Sequence, residues 1–166
     1  MLRRLLSTAN DPTLTVVRLI LGAVFFAHGA QKMLGWFGGH GFSATMGYFT
    51  HNMGIPALFA FLAIAAEFFG GLGLLVGLLG RVAAFGILCN MVVAIFMVSG
   101  HVGFFMNWFG AQKGEGYEYH LLAIALCVTI LVKGSGAFSV DRALTGSRPS
   151  NMLEMGTSTA HTRKSA

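Results

Sequence analysis

Among the side chains of this 166-residue chain that can hydrogen-bond a polar ligand and pass protons, six in or at the ends of its apolar stretches stand out: Lys32, Glu67, Glu118 and the histidines His28, His101 and His120. Carboxylate, amine and imidazole together form a set suited to acid–base work. Glu67 is the most demanding of them. It lies inside residues 55–79, a 25-residue stretch with no other charge. A run this long and apolar reads as a membrane-spanning helix. A carboxylate at its centre costs roughly 2.5–3.5 kcal/mol on insertion scales. Glu67 is therefore expected to turn away from lipid and to have a partner.

The elements that must position these residues follow from composition. The chain is 55% hydrophobic and 10% charged, against roughly 25% charged in ordinary soluble domains. Three further apolar stretches, 14–34, 82–100 and 118–133, accompany the first. The last is near the lower length limit for crossing a bilayer. Arg3 and Arg4 before the first stretch resemble the start of a secretory signal. No convincing small-x-small cleavage site follows, however, and three more spans do. The expected fold is all-α: a transmembrane four-helix bundle over residues 1–144, with a disordered polar tail over 145–166.

Charge placement gives an orientation. Arg3, Arg4, Arg18, Arg81, Lys133, Arg142, Arg148, Arg163 and Lys164 fall on one side, and only Lys32 and Lys113 on the other. This bias places both termini in the cytoplasm. It also accounts for the net charge of +5, so no nucleic-acid partner is implied. Gly80 and Arg81 are read as the tight turn between the second and third spans. In the first outer loop Phe42, Met46, Phe49 and Met53 recur at helical spacing behind Ser43, a candidate cap. An interfacial amphipathic helix is expected there. The second outer loop carries Phe104, Phe105, Trp108 and Phe109, read as interfacial anchors or as a lid.

Depth can then be counted at about 1.5 Å per helical residue. Arg18, Gly22, Phe25, Gly29 and Lys32 share a face of the first span, with His28 on its flank. Glu67, counted back from Arg81, falls at nearly the depth of His28. His101, Glu118 and His120 are assigned to the same outer half, together with Gln31. Arg18 and Asn90 are placed deeper, and Arg18, Arg81 and Asn90 are taken as structural polar residues. The cluster admits two readings: a buried salt-bridge network that fixes helix order, or a polar pocket open to the outer face. Gly70, Gly71, Gly73 and Gly77 form a smooth stripe that Gly22 and Gly29 could face, bringing Glu67 close to His28 or Lys32.

Other chemistry is weakly signalled. Cys89 and Cys127 fall at similar depth in adjacent spans, where a packing role outweighs a redox one. A metal or haem site at His28, His101 and His120 lacks the i, i+4 histidine spacing, so no metal is expected. Phosphate-loop, dinucleotide and nucleophile-elbow motifs are missing from the sequence. His161 in the tail has no partner group and receives no role.

The order Arg18, His28-Gly29-x-x-Lys32, Glu67-x-x-x-Gly71, Leu74, Gly77, Arg81, His101, Glu118 and a closing Gly134-Ser-Gly-Ala-Phe-Ser-Val-Asp141 resembles the DoxX family. The resemblance implies a small four-helix protein of the bacterial inner membrane linked to quinone and sulfur redox chemistry. Relatives serve as membrane subunits of thiosulfate:quinone oxidoreductase or associate with oxidative-stress systems. On this reading the chain would be a component of a redox system with a quinone as candidate ligand. Partner oxidoreductase subunits would carry the electrons, and a homo-oligomer is also allowed. Lys32 and His28 would contact a quinone oxygen, Glu67 would act as relay, and His101, Glu118 and His120 would form the mouth. A membrane anchor or assembly subunit and a proton-coupled transporter are the alternatives.

Overall fold

The computed structural model describes residues 2–146. The expected polar tail, His161 included, lies outside the described residues apart from Thr145 and Gly146. The described chain is helical: α1 Leu2–Leu6, α2 Pro12–Leu34, α3 Gly41–Gly47, α4 Ala57–Val76, α5 Gly80–Ala94, α6 Glu118–Lys133 and α7 Val140–Thr145. A π-helical turn, Tyr48–Asn52, follows α3, and a second, Ile95–Ser99, prolongs α5.

Three helices are long and apolar enough to cross a membrane: Pro12–Leu34, Ala57–Val76 and the continuous Gly80–Ser99. The fourth apolar stretch is a helix with the expected bounds, Glu118–Lys133. Its 16 residues rise about 24 Å, short of the roughly 30 Å hydrocarbon core. The helices pack α2 on α4, α4 on α5, α5 on α6 and α6 back on α2. Leu21, Phe25, Leu74, Ile87, Met91, Cys127 and Ile130 form the core between them.

Glycine sets how closely the helices approach. A side chain at Gly29 would overlap the backbone of Glu67 and Phe68, and one at Gly71 would overlap the backbone of Phe26. Gly22 lies against Leu74 and Leu75. The helices α2 and α4 therefore meet backbone to backbone, the packing that small residues permit in lipid. Large apolar side chains such as Leu58, Phe69, Phe85 and Phe96 face outward, as a lipid-facing surface requires.

At one end the helix termini are closed by side chains distant in sequence. Arg18 is 1% exposed. Its guanidinium donates to the carbonyls of Leu74 and Leu75 (2.8 Å for the latter), Ser135 (2.9 Å) and Phe138 (2.7 Å). It thus caps the carbonyl end of α4, where a positive charge is favoured. Asp141, also 1% exposed, does the converse. Its carboxylate accepts from Leu79 N (2.7 Å), Gly80 N (3.0 Å) and Ser135 Oγ (2.6 Å), closing the amide end of α5. Arg81 donates to Leu131 O near the end of α6 and to Ser7 O.

Several local expectations need correcting. The turn between α4 and α5 is Gly77–Leu79 and not Gly80-Arg81. Gly77 (φ 73°) ends α4 in the left-handed conformation and Leu79 (φ 52°) repeats it. Asp141 supplies the hydrogen bond that holds Leu79 there, and Arg81 already lies in α5. Ser43 is not a cap: α3 begins after His40 and has no side-chain cap. The Phe42–Met53 stripe is not one continuous amphipathic helix, because α3 widens into a π turn at Tyr48 and neither element buries a residue. Cys89 is exposed and Cys127 is buried in the core, both as free thiols, so similar depth does not bring them onto one face.

The close α2–α4 crossing gives a test. Gly29→Ala puts a methyl into the α4 backbone and should cost about 1–3 kcal/mol, read as a lower thermal unfolding midpoint in detergent. Gly47→Ala, whose methyl meets nothing within 4 Å, should stay within about 0.5 kcal/mol of the parent.

Candidate functional site

Glu67 projects from α4 into the space between α2 and α5, and its side chain is 8% exposed. Its partner on α2 is Lys32, whose ammonium forms an ion pair with Oε2. Its partner on α5 is Asn90, whose amide donates to Oε1 at 3.0 Å and to Ala63 O at 3.2 Å. Each carboxylate oxygen is thus engaged by a different helix. Gly29 permits this geometry, since the α2 backbone lies against Glu67 and Phe68 just one turn before Lys32. Lys32 keeps 26% of its side chain exposed. It spends one of its three donors on Glu67 and has two left for another acceptor.

The remaining members of the expected layer are placed differently. His28 is exposed, on the α6-facing flank of α2, with its ring centroid 6.4 Å from that of Tyr119. It is not hydrogen-bonded to Glu67. His28 and Gln31, with Val24, Ala27 and Phe37, line an open groove of about 280 Å³. Gln31 also donates to Phe37 O at 3.2 Å, fixing the chain after α2 beside the groove. His28, Gln31 and Lys32 are neighbours at i, i+3 and i+4 on α2.

Glu118 turns into its own loop. Its Oε1 accepts from Met106 N at 2.9 Å and from the Trp108 indole at 3.2 Å. His101 is exposed in the turn after the π segment and takes part in none of the described hydrogen bonds. His120 faces Ser99, with Nε2 at 3.4 Å from the hydroxyl, while its buried Nδ1 and the buried hydroxyl of Tyr119 have no protein partner. The seven-member layer therefore divides. Lys32 and Glu67 form the charged centre with Asn90, His28 and Gln31 line a groove on α2, and neither Glu118 nor His120 is bonded to the pair. Among the described residues no group of His, Cys, Asp or Glu side chains is arranged to hold a metal ion.

Asn90 was placed too deep to reach Glu67 because Glu67 was counted from Arg81. The turn between them is not helical. Counted from its ends, Gly77 and Gly80, Glu67 and Asn90 are each ten residues in, or about 15 Å. Asp141 was also missed as a helix cap. The amides it accepts from, Leu79 N and Gly80 N, lie 62 and 61 residues away, so no local spacing signals the contact.

Apolar spanning helices around an internal ion pair define an integral membrane protein embedded in a lipid bilayer. The family model DoxX matches residues 13–100. That segment holds Arg18, His28, Lys32, Glu67 and Asn90, and leaves out Glu118 and His120. The chain is also 33% identical over 150 residues to the uncharacterized membrane protein Rv3486 of Mycobacterium tuberculosis (strain ATCC 25618 / H37Rv), covering 85% of this chain and 86% of the relative. The chain belongs to the DoxX family. No solved structure matches it.

The ion pair can be measured by a double-mutant cycle. Removing one partner of a buried pair costs about 3–5 kcal/mol. Because Lys32 is partly exposed, Glu67→Ala alone should cost about 1–3 kcal/mol. Combined with Lys32→Met, it should reveal a coupling of about 0.5–3 kcal/mol in the unfolding free energy. Strict additivity would mean the two charges do not interact.

Proposed function

We propose that this protein is an inner-membrane component of a bacterial redox system that binds a quinone or a similar small amphipathic molecule beside the Lys32–Glu67 pair. The observation that carries this reading is the position of the paired Lys32 on α2, one turn beyond His28 and next in sequence to Gln31, the two polar residues that line the groove. The groove, about 280 Å³, is near the lower end of the roughly 300–1,000 Å³ typical of small-molecule sites. It suits a ring-sized headgroup with its tail left in lipid. Its walls combine apolar Val24, Ala27 and Phe37 with the donors of His28 and Gln31, the mixture such a headgroup needs.

In this reading His28 and Gln31 hydrogen-bond the ligand's oxygen atoms. Lys32, one helical position beyond Gln31, supplies positive charge with its two remaining donors. Glu67 holds the ammonium in place, and Asn90 holds Glu67. The redox chemistry is supplied by the bound molecule and by a partner oxidoreductase. The bundle supplies binding, orientation and local charge. The short α6 completes a four-span bundle, and the basic end bearing α1 and α7 faces the cytoplasm. The groove then opens in the outer half.

A second reading has its own support. Both oxygens of Glu67 are already engaged, which is what a pair that only staples α2, α4 and α5 would need. The chain would then be an anchor or assembly subunit.

The two separate on one experiment. Purified protein is extracted and its lipids are searched for quinone, and a short-chain quinone is added during thermal unfolding. Recovered quinone and a raised midpoint in the parent, with the rise lost in His28→Leu and Lys32→Met, are the expected results. Absence of quinone together with an unchanged midpoint would contradict ligand binding and leave the staple.

A further inference from the structure

The end of the molecule opposite the outer loops carries a surface that the proposed ligand site does not use. Residues 7–11 lace this end together. Ala9 N donates to Lys133 O at 3.0 Å, Gly136 N to Thr8 Oγ1 at 2.6 Å, and Ala137 N to Asp11 O at 3.2 Å. As a result α1 packs on α7 and on the start of α5, with Leu6 buried beneath it. Basic residues fall on the elements that meet at this end: Arg3 and Arg4 on α1, Arg142 on α7, against which α1 packs, and Lys133 at the end of α6. Arg3, Arg4 and Lys133 are exposed and Arg142 is half-buried.

Acidic compensation is spent elsewhere. Asp141 is buried on the amides of Leu79 and Gly80, and Asp11 accepts from Thr13 N at the start of α2. Arg3, Arg4, Lys133 and Arg142 form no ion pair among the described residues. An open hollow of about 380 Å³ lies on the same surface, with Arg142 and Ser139 beside apolar Ala137, Phe138 and Ala143. Phe138 and Leu144 are 75% and 63% exposed. Cations beside exposed apolar groups at the edge of a membrane domain match a molecule with an anionic head and hydrocarbon chains.

We propose that this surface is a binding site for an anionic phospholipid. Arg3, Arg4 and Arg142 hold the headgroup phosphate, and Phe138 and Leu144 lie along the acyl chains. Guanidinium groups suit this role because they present paired donors to phosphate oxygens. The positive-inside bias alone requires only that basic residues lie on this side. The hollow and the apolar margin add a shape and a ligand class.

The test uses the full chain in neutral detergent with phosphatidylglycerol or phosphatidylcholine of identical acyl chains. Phosphatidylglycerol should raise the unfolding midpoint and stay bound in native mass spectra. Phosphatidylcholine and inorganic phosphate alone should do neither. The combined variant Arg3→Gln/Arg4→Gln/Arg142→Gln should weaken phosphatidylglycerol binding by at least about tenfold. The matching Arg→Lys variant should retain most of the binding, and Lys113→Gln, in the outer loop, should retain all of it. If the triple variant does not fold, Arg142→Gln alone against Arg142→Lys carries the comparison. Equal responses to both lipids, full reproduction by inorganic phosphate, or undiminished binding in the glutamine variant would overturn the proposal.

Discussion

A carboxylate in the middle of an apolar helix has to be surrounded by the protein, and much of this fold follows from how Glu67 is surrounded. Lys32 approaches from α2 and Asn90 from α5. One side chain thereby ties three helices at a single depth. The pairing demands that α2 and α4 run in near contact, which Gly22, Gly29 and Gly71 permit. A larger residue at Gly29 would separate the backbones and lengthen the ion pair. Apolar packing in lipid has little direction of its own, so the polar contact also selects the register in which the helices meet.

The opposite end solves a related problem by another route. Arg18 and Asp141 are buried charges without a direct ion pair between them. Each is matched to a helix terminus: the guanidinium to the carbonyls of α4 and the carboxylate to the amides of α5. The α4–α5 turn is thus held from both sides, and Leu79 is kept at positive φ by the same carboxylate. The segment from Gly134 to Asp141 therefore closes the helical domain and is more than a linker.

Glu67 and Lys32 were legible in the sequence because a lone carboxylate in a long apolar stretch announces a need for a partner, and depth counting leaves few candidates. The helical face Arg18, Gly22, Phe25, Gly29 and Lys32 was legible by the same periodicity. The partners of Glu118 were not legible in the same way. Depth along a helix axis says nothing about a loop that folds back, and the Glu118 carboxylate accepts from Met106 N and the Trp108 indole of its own loop. His28 was at the right depth on the wrong flank. Its ring lies beside that of Tyr119 on the α6-facing flank, while Lys32, one turn further along α2, has the longer side chain that reaches Glu67.

The most direct measurement is the ionisation of Glu67 in a bilayer. The infrared spectrum of the reconstituted protein at neutral pH is compared with that of Glu67→Gln. If Lys32 and Asn90 hold a charged carboxylate inside the helices, the substitution removes an ionised carboxylate band. Loss of a protonated carboxyl band instead would mean that Glu67 is neutral, and the ion pair on which the helix register and the proposed ligand site depend would not exist in the membrane.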